Sequence, residues 1–75
     1  MQNEYETSDL YLSAFLKCKG MRLKGKRQTI KRCIFVFQDR SDRQNLISEF
    51  FNNGVINVTD YKNALQDLKI MVFNV

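Results

Sequence analysis

The apolar residues near the start of the chain constrain its fold most. If the stretch that begins at Thr7 or Ser8 and ends before Gly20 forms a helix, apolar side chains cover roughly 240° of its circumference. Only Asp9, Ser13 and Lys17 remain for a polar stripe. Such a helix cannot lie on a core with one side in water, so we expect it to be sandwiched within the fold or to form a dimer interface. Its apolar positions are Leu10, Tyr11, Leu12, Ala14, Phe15, Leu16 and Cys18.

The ends of this helix carry start and stop signals. Thr7 or Ser8 is predicted to cap it with a side-chain oxygen, and Asp9 complements the positive end of the helix dipole. Gly20 suits the position just past the helix. Residues 1–6 are expected to form a flexible N-terminus.

After Gly20 the hydrophobic period changes from 3.6 to 2, which is typical of β-strands. The first predicted strand has a core face of Met21, Leu23 and Gly25 and an outer face of Arg22, Lys24 and Lys26. Its central Gly25 indicates a bulge or a close backbone approach. After a turn near residues 28–30, the second strand places Cys33, Phe35 and Phe37 toward the core, and Arg32, Ile34 and Val36 outward.

Two more helices are predicted. Ser41 and Gln44 form a capping-box pattern at the start of the first, and Gly54 is its natural stop. Asn57 is the predicted N-cap of the second. Ile70 and Phe73 fall on the polar side of that helix, so a terminal strand over residues 69–75 is an open alternative.

These elements predict a single small α+β domain over residues 1–75, in the order α-β-β-α-α, with an antiparallel β-hairpin packed on three helices. The longest apolar runs have four residues, so no membrane association is expected. Acidic residues near the N-terminus argue against a signal peptide. A cytoplasmic protein with reduced thiols is the expectation.

The residues that usually carry catalysis are scarce. The chain has no His, which removes the commonest general base and metal ligand. Cys18 and Cys33 are expected to be buried, inert thiols, and Asp residues near helix starts are explained by the helix dipole. We therefore expect no enzyme activity, no cofactor, no metal and no small-molecule substrate.

The most polarised segment is 17–32, which holds eight of the twelve Lys and Arg residues and no Asp or Glu. Such a cluster attracts polyanions, and it indicates a small basic protein that binds nucleic acid through phosphate contacts. The solvated face of an exposed hairpin is the structural alternative. Lys17 and Lys19 suit a helix end. The predicted nucleic-acid-binding residues are therefore Arg22, Lys24, Lys26, Arg27, Lys31 and Arg32.

A protein-interaction module is the competing functional hypothesis. An adaptor or inhibitor, possibly homodimeric and without nucleic-acid binding, would use the outward apolar residues Ile34, Val36, Ile70 and Phe73. Salt separates the two hypotheses, because phosphate binding weakens steeply with ionic strength and an apolar interface does not.

Three stretches of the sequence, "YETSDLYLSAFLKCKG", "RCIFVFQD" and "DYKNALQDLK", resemble a small uncharacterised domain family of bacteria, archaea and their viruses. The resemblance covers the chain from Tyr5 to about Phe73 and supports the helix-hairpin-helix-helix pattern. It implies no activity. It does imply a prokaryotic or viral setting, often a mobile element, in which small basic proteins commonly serve DNA transactions or host interference.

Overall fold

Six elements follow one another in the order β-α-β-β-α-α in the computed structural model, which describes residues 3–73. They are β1 (Glu4–Thr7), α1 (Leu10–Cys18), β2 (Leu23–Gln28), β3 (Cys33–Gln38), α2 (Arg43–Phe51) and α3 (Val58–Phe73). The predicted α+β class is confirmed. The predicted order α-β-β-α-α lacked the first strand.

The missed strand β1 turns the predicted hairpin into a three-stranded antiparallel sheet of order β1-β3-β2. Its sequence alternates, so Tyr5 and Thr7 lie opposite the core-facing residues of β3, and Glu4 and Glu6 lie on the other face. The prediction of a flexible segment over residues 1–6 did not anticipate this pairing. Residues 1 and 2 lie outside the described part of the chain.

The N-cap of helix α1 lies one residue after the predicted cap Ser8 and two after the alternative cap Thr7. Oδ1 of Asp9 accepts hydrogen bonds from the amides of Tyr11 and Leu12, both at 3.0 Å, so Asp9 is the N-cap in place of Thr7 or Ser8. The helix ends at Cys18, and Gly20 lies just past its C-cap as predicted, with a φ of 93° that is unfavourable for other residues.

The apolar circumference of α1 is explained by its central position. The helix packs against α3, α2 and β1, and residues 12–16 are all buried. The sandwiched arrangement is therefore the one adopted. On the sheet, the predicted inward row is confirmed, because Phe35 and Phe37 are almost completely buried. The core cluster joins Leu12, Leu16, Met21, Cys33, Phe35, Phe37, Leu46 and Leu68 from all three helices and the sheet.

Helix α2 lacks the predicted capping box. Its N-cap is Asp42, whose side chain makes no capping hydrogen bond, and the side chain of Gln44 accepts instead from the neighbouring guanidinium of Arg43 at 3.1 Å. At the other end, Asn53 rather than Gly54 takes the left-handed conformation, with a φ of 63°. Asparagine tolerates this conformation better than most residues.

Helix α3 begins as predicted, with Oδ1 of Asn57 accepting from the amide of Asp60 at 3.0 Å. It continues to Phe73, so the strand alternative is wrong for residues 69–73, and residues 74 and 75 lie outside the described chain. Ile70 and Phe73 are 59% and 80% exposed, because they fall on the outer side of the helix. Within residues 3–73, no helix has the length and apolar character to cross a membrane.

Candidate nucleic-acid interface

A β-bulge in β2 changes the direction of the basic side chains. Leu23 lies opposite Phe37, but Gly25 lies opposite Val36 and Lys26 opposite Phe35, with the register shift between Leu23 and Gly25. Directly opposed residues share a face of the sheet. The bulge predicted at Gly25 is confirmed. The prediction that Lys26 projects from the outer face is wrong, because the extra residue turns it to the helix side.

On that side Lys26 meets the end of α3. Its Nζ donates to the carbonyl oxygen of Met71, and the Lys26 side chain is partly buried. The last four carbonyls of a helix have no acceptor role within the helix, and a cation there also complements the negative end of the helix dipole. Lys26 therefore has a structural role that the sequence pattern did not reveal.

Two acids of β1 lie on the outer face of the sheet and meet cations of β2. Nζ of Lys24 is 2.6 Å from Oε2 of Glu4, and Nη2 of Arg27 donates to Oε1 of Glu6. Because β3 lies between these strands, both ion pairs reach across it. Together they bring the charge of these four residues to zero. Glu4 and Glu6 were missed in the sequence, although the alternating "EYET" carries a strand signal.

Ile34 and Val36 occupy the central strand beneath these ion pairs. Ile34 lies opposite Arg27, and Val36 lies between Gly25 on one side and Glu6 on the other. Both side chains are half-buried. Their outward direction is as predicted, but their flanks are charged rather than apolar.

The tip of the hairpin is a four-residue loop, Thr29 to Arg32, slightly later than the predicted turn. The Thr29 amide donates to the Arg32 carbonyl at 2.9 Å, and the Arg32 amide donates to the Thr29 hydroxyl at 3.1 Å. Ile30, Lys31 and Arg32 are exposed. Within residues 3–73, no carboxylate forms an ion pair with Lys31 or Arg32.

Arg22 lies at the opposite end of the two-stranded ribbon that β2 and β3 form. Its carbonyl accepts from the amide of Gln38 at 2.9 Å, and its side chain is exposed without an ion pair to any of the described residues. The six residues of β2 separate it from the loop by about 20 Å, at roughly 3.3 Å per residue. The six predicted binding residues thus do not form one patch. Arg22 lies at the base of the hairpin, and Lys26 points inward. Lys24 and Arg27 are paired with carboxylates, and Lys31 and Arg32 lie at the tip.

The ion pairs, taken together, show which Lys and Arg side chains keep a positive charge that no carboxylate neutralises. Six ion pairs among the described residues use six of the eight acids, and the other two, Asp9 and Asp60, lie at helix starts. Away from the hairpin, Lys62 and Lys69 on α3 are exposed and are joined by no ion pair within residues 3–73. The hairpin cations in the same situation are Arg22, Lys31 and Arg32.

Arg43 is held by contacts with a carboxylate and an aromatic ring. It donates to both carboxylate oxygens of Asp39, at 3.1 and 3.3 Å, and its guanidinium lies 4.7 Å from the centre of the Tyr5 ring. The hydrogen bond from Arg43 holds the pKa of Asp39 below its usual value. These contacts join the start of α2 to β1, and the ion pair neutralises the charge of Arg43.

Of the two thiols that were expected to be buried, one is buried and the other is only partly buried. Cys33 is buried, Cys18 is half-buried, and both are free. Burial raises the pKa of the Cys18 thiol, and the charge of Asp60 raises it further against the opposing effect of Lys17. A raised pKa disfavours the nucleophilic thiolate. Within residues 3–73, no three His, Cys, Asp or Glu side chains are grouped to hold a metal ion.

The fold and the hairpin define a small α+β protein whose distinguishing surface is a charged ribbon with a basic tip. The chain belongs to the family described as a domain of unknown function, DUF5659, whose sequence model matches residues 2–74. The predicted membership of an uncharacterised family is thereby confirmed. No curated protein and no solved structure matches the chain.

Proposed function

We propose that the protein binds nucleic acid without catalysing a reaction, through phosphate contacts centred on the tip of the β2–β3 hairpin. The observation that carries the proposal is the pair Lys31 and Arg32, two exposed cations on a projecting loop that no carboxylate of residues 3–73 neutralises. Arg27 lies at the same end of the ribbon, and its ion pair with Glu6 is solvent-exposed. Phosphate oxygens can compete for a cation in such a pair, because an exposed ion pair contributes only about 0–1 kcal/mol.

The aromatic residues of the hairpin favour backbone contact over base stacking. Proteins that read single strands present aromatic rings between their cations. Phe35 and Phe37 are buried in the core instead. A ribbon with cations and no exposed ring is suited to hold phosphates, which position a protein without reading sequence. A prokaryotic or viral cytoplasm, often with a mobile element, is the setting that we expect from the family resemblance.

The test compares two variants with the same change in net charge. K31S/R32S removes the tip pair, and K62S/K69S removes two equally unpaired lysines from α3. Binding to labelled duplex and single-stranded oligonucleotides is measured by fluorescence anisotropy between about 50 and 200 mM salt, where phosphate contacts dominate the salt dependence. We expect the tip variant to lose affinity and the slope of log K against log salt for a duplex to fall by about 1.8, at roughly 0.9 per phosphate contact.

The control variant K62S/K69S should keep the slope of the wild-type protein, because long-range charge is screened within about 10 Å near 0.1 M salt. Equal losses in both variants would show that only the net charge matters. Absence of wild-type binding at about 50 mM salt would refute the proposal.

A second candidate function is protein interaction through the exposed side of α3. Ile70 and Phe73 lie three residues apart on this helix and are mostly exposed, so one partner surface can contact both. Self-association is its simplest form. Sedimentation equilibrium of the wild type and of I70S/F73S tests it. A dimer that persists at high salt and dissociates in the variant supports it, and a wild-type monomer at high micromolar concentration contradicts the homodimer.

A further inference from the structure

The hairpin tip carries an apolar residue that the fold does not use. Ile30 is fully exposed, more so than any other large hydrophobic residue of the described chain. A single exposed isoleucine is ordinary on a protein surface. This position is less ordinary, because β-branched residues contribute none of the turn-forming properties that Gly, Asn, Asp and Ser supply.

Hydrogen bonds hold the loop below Ile30 closed. The main-chain and side-chain bonds between Thr29 and Arg32 are joined by the Gln28 amide, whose Nε2 donates to the carbonyls of both residues at 3.3 Å. The polar groups at the base of the loop are therefore engaged with one another, and Ile30 and Lys31 project beyond them. A loop ordered in this way loses less entropy when it inserts into a ligand.

Cations flank this apolar point on both sides of the loop. Arg27 lies on the β2 side, and Lys31 and Arg32 lie on the β3 side. The ligand that complements the tip must combine an apolar interior with anionic edges on two sides. Duplex DNA has this arrangement, since stacked bases lie between two rows of phosphates.

We propose that Ile30 inserts from the minor groove between two base pairs of duplex DNA and kinks it, while Lys31 and Arg32 hold phosphates beside the opened step. Apolar side chains used as wedges partly unstack base steps in this way, most easily at flexible pyrimidine–purine steps. This inference rests on the proposed function and adds a duplex substrate and a deformation to it.

An anionic membrane surface fits the tip less well. Removing one isoleucine side chain from water contributes a factor of about ten to one hundred in affinity. Stable membrane attachment requires more than one such anchor, and the tip offers a single apolar side chain among its exposed cations.

The experiment separates binding from deformation. A duplex labelled at both ends reports bending by energy transfer, and a fluorescent adenine analogue at a central TA step reports unstacking. The wild type, I30S, K31S/R32S and V55S are compared. V55S is the matched control, because Val55 is also β-branched and 83% exposed but lies outside the hairpin.

We expect bending and unstacking with the wild type and V55S. I30S should bind within about tenfold of the wild-type affinity with the same salt slope and without either signal, because its phosphate contacts remain and the lost apolar contact is offset by the unstacking that no longer occurs. K31S/R32S should lose affinity. Wild-type bending that persists in I30S would overturn the wedge and leave nucleic-acid binding intact. Absence of any duplex binding overturns both, and loss of anionic-vesicle binding in I30S would then assign the tip to a membrane surface.

Discussion

Replacing Lys26 with Met tests the structural role that the bulge gives to this residue. Methionine keeps the length of the aliphatic stem and removes only the ammonium group that donates to the carbonyl of Met71. A cation at a helix C-terminus contributes about 0.3–1 kcal/mol. A hydrogen bond from a charged group adds about 1.5–3 kcal/mol when buried. The loss on mutation is smaller here because Lys26 is only partly buried, so that water can replace the hydrogen bond in part.

With about half of the hydrogen-bond contribution retained, the two contributions sum to about 1–2.5 kcal/mol, which corresponds to a fall in Tm of roughly 5–15 °C for a domain of this size. The assay is thermal unfolding followed by circular dichroism. K31M is the matched control, with the same chemical change on the same hairpin at an exposed site, and should change the free energy of unfolding by less than about 0.5 kcal/mol. If K26M and K31M unfold at the same temperature, Lys26 does not stabilise the end of α3 and has no structural role there.

Three other predictions follow from the same contacts. E6Q removes the carboxylate that pairs with Arg27 near the tip, so duplex affinity should rise and the salt slope should steepen by up to about 0.9; an unchanged slope would show that Arg27 contacts no phosphate. D39N should be less stable than the wild type at pH 7, and the difference should begin to shrink as pH falls below about 4 and disappear below the lowered pKa of Asp39, because that pKa stabilises the fold only while the carboxyl is ionised; a constant difference in urea melts would contradict this. G54A should lower the free energy of unfolding measured in urea by roughly 1–3 kcal/mol, because its Cβ would lie 2.7 Å from the carbonyl oxygen of Glu49. An unchanged free energy would show that the end of α2 can shift to accommodate the methyl group.

Periodicity in the sequence predicted what depends on burial. The inward row of Phe35 and Phe37 and the start of α3 at Asn57 are found as expected. The sandwiched position of α1 is also found, although Tyr11 is mostly exposed and Ser13 is buried. Each of these signals is local and repeats along the chain, or depends on a cap next to the helix it starts. Burial of large side chains dominates the stability of a small domain, so these patterns have few competing solutions.

The candidate site was less predictable, because it depends on pairing between distant strands. Gly25 indicated a bulge, but the local sequence does not show which face of the sheet each residue after the bulge occupies. That face decides where Lys26 points. Glu4 and Glu6 lie about twenty residues before their partners, in a strand of four residues that is too short for a strong periodic signal. Ile30 was missed because an exposed residue in a turn leaves no trace in a hydrophobic pattern.

Strand β1 determines where the β2–β3 hairpin keeps unneutralised positive charge. Without the two glutamates, the outer face of β2 would present like charges that repel one another and destabilise a two-stranded ribbon. With them, the face is close to neutral, and the unneutralised cations are left at its two ends, Arg22 at the base and Lys31 with Arg32 at the tip. Two adjacent cations on a projecting loop create a stronger local field than the isolated arginine about 20 Å away, and screening at physiological salt separates the two ends. The acids of β1 therefore both stabilise the sheet and restrict polyanion binding to the end of the hairpin where Ile30 projects.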